Sequence, residues 1–177
     1  MKKCIAWAVA CCVCLSSAIA QADLQPGAAV KAAMEKVKFL EGSWAGSGWL
    51  QMGPQRHEFK QTEFVQFHAN GTVLTIDGRG VDTADSSRIV HQAFAMLSYD
   101  QQAGKYLMRA IRADGNHVDA DFVVNADGSI TWGFSHPIAG KIRYNIRYEN
   151  GRWLESGAIS RDGESWMTVI KMTRERE

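Results

Sequence analysis

The chain has few cysteines, and all four of them lie in its first segment, at Cys4, Cys11, Cys12 and Cys14. No cysteine follows, which excludes a disulfide framework and a zinc–thiolate site from the rest of the chain. That remainder must therefore be held together by its hydrophobic core. The 157 residues after position 20 of 177 are enough to form one domain with such a core.

A strong net charge is also absent, as is any long apolar run after residue 20. The formal charge is +1, and it becomes −1 when Lys2 and Lys3 are removed. A net charge this close to zero gives no positive surplus that would attract nucleic acids or anionic lipids. A membrane-spanning helix needs roughly 20 apolar residues, and no later segment approaches that length. We therefore expect neither a nucleic-acid partner nor a membrane span.

Residues 1–20 have the three parts of a secretory signal peptide. Lys2 and Lys3 form the positive start, residues 5–15 are almost wholly apolar, and Ala18-Ile19-Ala20 is a small-residue cleavage motif. The alternative is a lipoprotein signal ending before Cys11, for which the preceding apolar stretch is very short. The sequence thus predicts a bacterial protein that is cleaved after Ala20 and is periplasmic or secreted.

Residues 21–27 have no periodic pattern and are interpreted as an irregular lead-in to a single domain over 28–177. Its first segment, 28–40, is predicted to be a short amphipathic helix that caps one end of the fold. The apolar residues at helical spacing are Val30, Ala33, Met34, Val37 and Leu40.

Beyond the helix, short runs of alternating polarity are separated by Gly- and Asn-containing turn signals. Such spacing is typical of antiparallel all-β folds. Ten strands are predicted, near residues 43–51, 56–68, 72–81, 88–98, 105–112, 117–124, 129–135, 141–149, 152–160 and 165–174. Sequential hairpins leave two exposed edges unless the sheet closes, so we expect an up-and-down β-barrel. The inward face stays undetermined for 43–51, 88–98 and 165–174.

The segment Phe39-Leu40-Glu41-Gly42-Ser43-Trp44-Ala45-Gly46-Ser47-Gly48 resembles the Gly-x-Trp first strand of calycins, the group that includes lipocalins and fatty-acid-binding proteins. Segments 93–100, 108–110, 132–134, 142–144 and 153–157 follow in order and together resemble a bacterial calycin-like domain family of unknown function. This resemblance implies a barrel but no established ligand. Nitrobindin, a haem-binding barrel, is similar only at the Gly-x-Trp start.

A haem ligand is not carried over from nitrobindin. Its pattern includes a histidine near the C-terminus, whereas the last histidine here is His136. The sequence therefore indicates no cofactor.

The apolar faces of the predicted strands carry several large aromatic residues and a few polar ones. A polar group on such a face must be hydrogen-bonded or meet a ligand. The candidate pocket residues are Trp132, Phe134, Tyr144, Tyr148, Trp153, Met108, Glu63, His91 and Glu155, and His136 lies on a similar face. We expect Trp132, Tyr144 and Trp153 to share one wall, with Glu155 beside Trp153.

Two further constellations are interpreted as outward-facing. His117, Asp119 and Asp121 could hold a divalent ion, but they also form the polar side of an alternating strand that faces Arg109 across a hairpin. Arg143 and Arg147 oppose an apolar face that is too large to leave in water. We therefore place these charged groups on the outside and predict no metal site.

Three functions are compatible with this pattern. The first is an exported binding protein for a small hydrophobic or amphipathic molecule held inside the barrel. The second is an enzyme in the same barrel that uses Glu63, His91 or Glu155 as general acid or base. The third is a packed barrel that acts through its outer surface.

Overall fold

Ten antiparallel strands close into one barrel in the computed structural model, which describes residues 24–177. Each strand pairs with the next, and the first pairs with the last. The strands are β1 (Gly42–Met52), β2 (Gln55–His68), β3 (Val73–Asp82), β4 (Ile89–Asp100), β5 (Lys105–Arg112), β6 (His117–Val124), β7 (Ile130–His136), β8 (Gly140–Glu149), β9 (Arg152–Ser160) and β10 (Met167–Arg176). The predicted fold class is confirmed. The predicted signal peptide lies outside the described residues.

Local turn chemistry determines where the strands end. The two-residue turn between β8 and β9 is Asn150-Gly151, and both residues have positive φ, 53° and 79°. Such a turn matches the twist of a hairpin and requires residues that tolerate the left-handed region. The Asn-Gly signal in the sequence thus accounts for the conformation of this turn.

One end of the barrel is covered by the N-terminal segment. The helix α1 spans Ala28–Glu35 and is followed by a 3-10 turn at Lys38–Leu40, so the predicted helix over 28–40 is interrupted before its last turn. Met34, Val37 and Leu40 are buried, as the predicted cap requires. The Trp44 indole N–H donates a hydrogen bond to the Leu40 carbonyl at 2.8 Å, which fixes the turn against β1. We call this the capped end. The opposite end has no helix among the described residues, and we call it the open end.

No helix in the described part of the chain is both long and apolar enough to cross a bilayer.

The capped half of the interior is filled by apolar side chains. Trp44 and Trp153 pack edge to face, with ring centroids 5.6 Å apart, at the centre of this core. Its buried members include Met34, Val37, Leu40, Val65, Leu74, Leu97, Met108, Phe122, Ile130 and Ile146. A smaller cluster of Phe59, Ile170 and Met172 lies nearer the open end, on the β2 and β10 side.

The alternation on β4 is settled by tertiary packing. Ala95 and Leu97 are buried in the core, whereas Phe94 and Met96 are 40% and 44% exposed on the outer face. Both faces of β4 are apolar, so the sequence alone could not distinguish them. His91 belongs to the inward set.

Candidate ligand-binding site

A buried ion cluster of Glu63, Glu155 and Arg174 lies between the two apolar clusters. Arg174 is 1% exposed, and the two carboxylates are each 7% exposed. The Nη1 of Arg174 donates to Glu63 Oε1 at 2.5 Å, and its Nη2 donates to Glu155 Oε2. The guanidinium also lies over the Trp153 ring, 3.9 Å from the centroid. Ion pairing and hydrogen bonding together make burial of these charges possible.

Strand alternation and closure of the barrel bring these three side chains together. On β10, Ile170, Met172 and Arg174 are buried in turn, so all three point inward. Glu63 is on β2, and β1 lies between β2 and β10. Gly46 on β1 is in register with Arg174 on one side and with Gln61 on the other. A Cβ atom at Gly46 would collide with the Thr173 carbonyl oxygen, so glycine at this position lets the backbone of β10 lie close to β1. The Arg174 guanidinium extends past β1 to Glu63.

Glycines on β3 and β9 provide room for the larger interior side chains. A Cβ atom at Gly78 would lie 2.5 Å from Glu63 Oε2, and one at Gly80 would lie 2.7 Å from Gln61 Oε1. At Gly157, a Cβ would lie 2.6 Å from Cε1 of Tyr144. These separations are shorter than van der Waals contact, so the side chains fit only opposite glycine.

The cluster contains two carboxylates and one guanidinium. Burial raises the pKa of Glu63 to about 7, with Arg174 acting to lower it and Glu155 to raise it further. The Gln61 side-chain amide donates to Glu63 Oε1 at 3.0 Å. Gln61 Oε1 and Arg174 Nε are buried but find no hydrogen-bond partner among residues 24–177. The cluster therefore retains unused hydrogen-bonding capacity.

An aromatic wall lies beside the cluster toward the open end. Trp132 and Tyr144 are neighbours across β7 and β8, and their rings stack with centroids 4.0 Å apart at 7°. The Trp132 indole N–H approaches Glu155 Oε1 at 3.4 Å. Phe134 stacks next to Trp132 at 6.4 Å, farther toward the open end. All three residues are intermediate in burial, neither fully buried nor fully exposed.

Smaller side chains lie on the inward face of β4 and β5. Ala93 and Ala110 face inward but remain partly exposed, which indicates solvent-accessible space beside them. His91 is next to Gly80 in the same interior, and burial lowers the pKa of its imidazole. Burial and the nearby Glu155 raise the pKa of Tyr144 to about 12. We refer to this region, between the aromatic wall and the small residues of β4 and β5, as the open half.

The structure brings most of the predicted site residues together. Glu63, Glu155 and Trp153 belong to the ion cluster or contact it, and Trp132, Phe134, Tyr144 and His91 line the open half. The predicted wall of three aromatic rings contains only two of them. Trp132 and Tyr144 are neighbours, but Trp153 lies one layer deeper and is 2% exposed in the core.

Three predicted candidates lie elsewhere. Tyr148 is 44% exposed at the capped end, where it stacks on Phe39 at 5.5 Å. Met108 is buried in the capped-half core. His136 is exposed, and its Nδ1 accepts backbone N–H bonds within the following turn. Period-two alternation predicts the face of a residue but not its depth along the barrel.

The charged residues predicted to face outward do so. Asp119 is exposed and accepts two hydrogen bonds from Arg109 across the hairpin, both at 2.7 Å. Arg147 is exposed, and Arg143 lies over the Trp166 ring at 4.0 Å. Among the described residues, no group of three His, Asp or Glu side chains is arranged to hold a metal ion.

Sequence reasoning missed Arg174 and Gln61. A signal for each was available, because Arg174 follows Ile170 and Met172 at period two, and Gln61 lies between Phe59 and Glu63 at the same period. The sequence leaves the face of the last strand undetermined, so it does not identify Arg174 as an interior residue.

The open half is distinct from the concave surfaces on the outside of the barrel. Two shallow depressions, of about 280 and 290 Å³, lie on the outer wall near Phe64 and at the turn after β9. The first has Glu63 among its lining residues, but neither is lined by Trp132, Tyr144 or His91.

Solved structures provide the comparison for this barrel. Rv2717c from M. tuberculosis superposes with a TM-score of 0.61 at 18% identity, over 88% of this chain and 99% of that one. The S-type phycobiliprotein lyase CPES from Guillardia theta has a TM-score of 0.56 at 12% identity, over 84% and 92%. The chain has a calycin-like fold.

The remaining comparisons add no functional argument. Lobster apocrustacyanin A1 matches this calycin-like barrel with a TM-score of 0.37 at 11% identity, over 88% of this chain and 72% of that one. No protein-family model and no curated protein matches the sequence. At these identities the likeness confirms the predicted fold alone.

Proposed function

We propose that this protein is an exported binding protein for a small hydrophobic or amphipathic molecule, held in the open half of its calycin-like barrel. The observation that carries the proposal is a partly exposed aromatic wall directly beside a buried ion cluster. Trp132 and Tyr144 would contact the apolar body of the ligand. Glu63 and Glu155 would orient its polar end. Small-molecule sites commonly combine apolar walls with a few such polar groups.

Apolar contact would supply most of the affinity. Burying apolar surface is worth roughly 25 cal/mol per Å². Trp132, Phe134 and Tyr144 are intermediate in burial, so a ligand could remove further apolar area from water there. The buried Trp153 has almost none left to contribute.

A second candidate is an enzyme acting in the same space. General acid–base catalysis works best when the pKa of the group is near the working pH. The pKa of Glu63 is about 7, and His91 faces the same interior with a lowered pKa. The similar barrel from Guillardia theta is a phycobiliprotein lyase, so an enzymatic role is compatible with this fold.

The binding proposal can be tested with a neutral fluorescent apolar probe, N-phenylnaphthylamine. We expect saturable binding that enhances probe emission and quenches tryptophan emission. Trp132→Ala should weaken probe binding at least tenfold, whereas Lys171→Ala, an exposed residue on β10, should not change it. Non-saturable binding, together with a loss of stability in Trp132→Ala, would instead favour a packed barrel that acts through its outer surface.

A further inference from the structure

The buried ion cluster contains more carboxyl groups than cationic groups. Glu63 and Glu155 share one cation, Arg174. Arg112 is in register with Ala93 near the open end, and its charge acts to lower the pKa of both His91 and Tyr144. Its guanidinium is exposed, however, and pairs with Asp114 at 3.0 Å. The other titratable groups around the open half are His91 and Tyr144. The pKa of His91 is lowered and that of Tyr144 is raised, and both shifts favour the neutral side chain. With both carboxylates ionised, the cluster therefore has a surplus charge of −1.

The unused hydrogen-bonding capacity of the cluster includes several acceptors. Both hydrogen bonds that Glu63 accepts from Arg174 and Gln61 go to Oε1, so its Oε2, which lies against Gly78, has no hydrogen bond within the described residues. Gln61 Oε1 is buried without a partner in the described residues. Glu155 Oε1 accepts only the long contact from Trp132. An ammonium group has three N–H donors and no acceptor, so it matches these three oxygens in number and in charge.

A carboxylate ligand fits the cluster less well. The buried Arg174 Nε could donate to it. Its charge, however, would add to those of Glu63 and Glu155 at low dielectric, where like charges repel strongly.

We propose that the ligand of this site is a cationic amphiphile, a primary amine attached to an apolar body, whose ammonium group binds between Glu63, Glu155 and Gln61. This inference rests on the proposed binding function. The stacked rings of Trp132 and Tyr144 would support it further, because aromatic faces attract cations. The apolar body would extend along Phe134 toward the open end.

Three compounds with one tail and different head groups test the charge of the ligand. Phenylbutylamine, phenylbutanol and phenylbutanoate are titrated into the protein by calorimetry at neutral pH. We expect the amine to bind at least tenfold more tightly than either of the others. Equal or tighter binding of the alcohol or the carboxylate would overturn the inference and leave the proposed function intact. If none of the three compounds binds but the neutral probe does, the inference about the head group is again overturned and the proposed function again remains intact. If the probe also fails, both proposals are wrong.

Proton release provides a measurement that needs no variant. At about pH 6 Glu63 is largely protonated, and a bound ammonium group favours its ionised form. We expect the amine to release a substantial fraction of a proton, seen as a dependence of the binding enthalpy on the buffer. Its affinity should rise up to tenfold per pH unit below about pH 7. Proton uptake, or no change in protonation, would overturn the inference.

Substitutions of the carboxylates test whether the preference for the amine over the alcohol depends on them. Glu63→Gln removes the charge and should reduce the preference for amine over alcohol at least tenfold, with the alcohol affinity little changed. Glu58→Gln, on the outer face of the same strand, is the matched control and should behave as the wild type. Glu155→Gln provides an independent test if Glu63→Gln does not fold. Undiminished preference in a folded Glu63→Gln or Glu155→Gln protein would contradict the proposed head-group site.

Discussion

Glu63 and Arg174 are 111 positions apart in the sequence, yet Oε1 of one and Nη1 of the other lie 2.5 Å apart inside the barrel. They meet because β1 closes the ring between β2 and β10, and because glycine at position 46 lets the backbone of β10 lie close to β1. Removing one partner from a buried ion pair usually costs about 3–5 kcal/mol. The pair thus links β2 to β10 across β1 in the closed barrel, and it also lies at the centre of the candidate site.

Folding stability should depend on pH through Glu63. Its pKa is about 7 in the folded protein against an ordinary value of 4.5, so between these values the folded state keeps a proton that the unfolded state loses. Stability should therefore fall as pH rises through this window, by up to about 3 kcal/mol. Urea unfolding between about pH 4.5 and pH 8 measures the slope.

The Glu63→Gln protein isolates this contribution. His91 acts in the opposite direction, because its lowered pKa in the folded state makes stability rise as pH increases toward the ordinary histidine value. The difference between the wild type and Glu63→Gln removes the histidine contribution. Identical slopes for the two proteins would show that Glu63 titrates normally.

Trp153 and Trp132 should respond differently to truncation. Trp153→Ala leaves a cavity between Trp44 and Arg174 and should cost about 3–5 kcal/mol of stability. Trp132 is only partly buried, so Trp132→Ala should cost less stability and act mainly on probe binding. Denaturant unfolding and probe titration of both variants separate the two roles. If Trp132→Ala cost more stability and Trp153→Ala weakened probe binding more, the probe would bind in the capped half and not at the aromatic wall.

Gly78→Ala should disturb Glu63 directly. The new methyl group would lie 2.5 Å from Glu63 Oε2 and force the carboxylate away from its present position. We expect a loss of about 1–3 kcal/mol, the usual cost of overpacking. In a Glu63→Asp background, the shorter side chain should make the same substitution less costly. A double-mutant cycle measures this coupling, with Glu58→Asp as the uncoupled control.

The N-terminal cap should stabilise the barrel through Leu40. This side chain is fully buried in the capped-half core, and its carbonyl accepts the Trp44 indole bond. Leu40→Ala should cost about 2–5 kcal/mol in denaturant unfolding. Leu24→Ala, at a residue that is 84% exposed, should have no measurable effect. Equal stability of the two variants would mean that the cap contributes little to folding.

Export can be tested by intact mass. The signal peptide predicts a mature protein that begins at Gln21 and contains no cysteine. Mass spectrometry of protein from the periplasm or the medium of a bacterial host should show this species. A mature chain that retains Cys11 with added lipid would support the lipoprotein alternative instead.

Much of the fold could be predicted from the sequence because its determinants are local. Period-two alternation arises because each strand has one buried face and one solvent-exposed face. The turns depend on residues such as Asn150 and Gly151 that tolerate positive φ. The three strands predicted at 105–112, 117–124 and 152–160 have these bounds in the structure, and the others agree within two residues at either end. Closure also followed from the sequence, because a ten-strand meander would otherwise expose two edges.

What only the tertiary structure decided is which residues meet and how deep they lie. Alternation placed Trp153 and Trp132 on inward faces, but depth along the barrel depends on register and on which end the helix covers. The last strand was ambiguous by itself, so the interior position of Arg174 emerged only from its pairing with β1 and β9. A buried ion cluster depends on side chains from distant strands, and no local pattern specifies such an encounter.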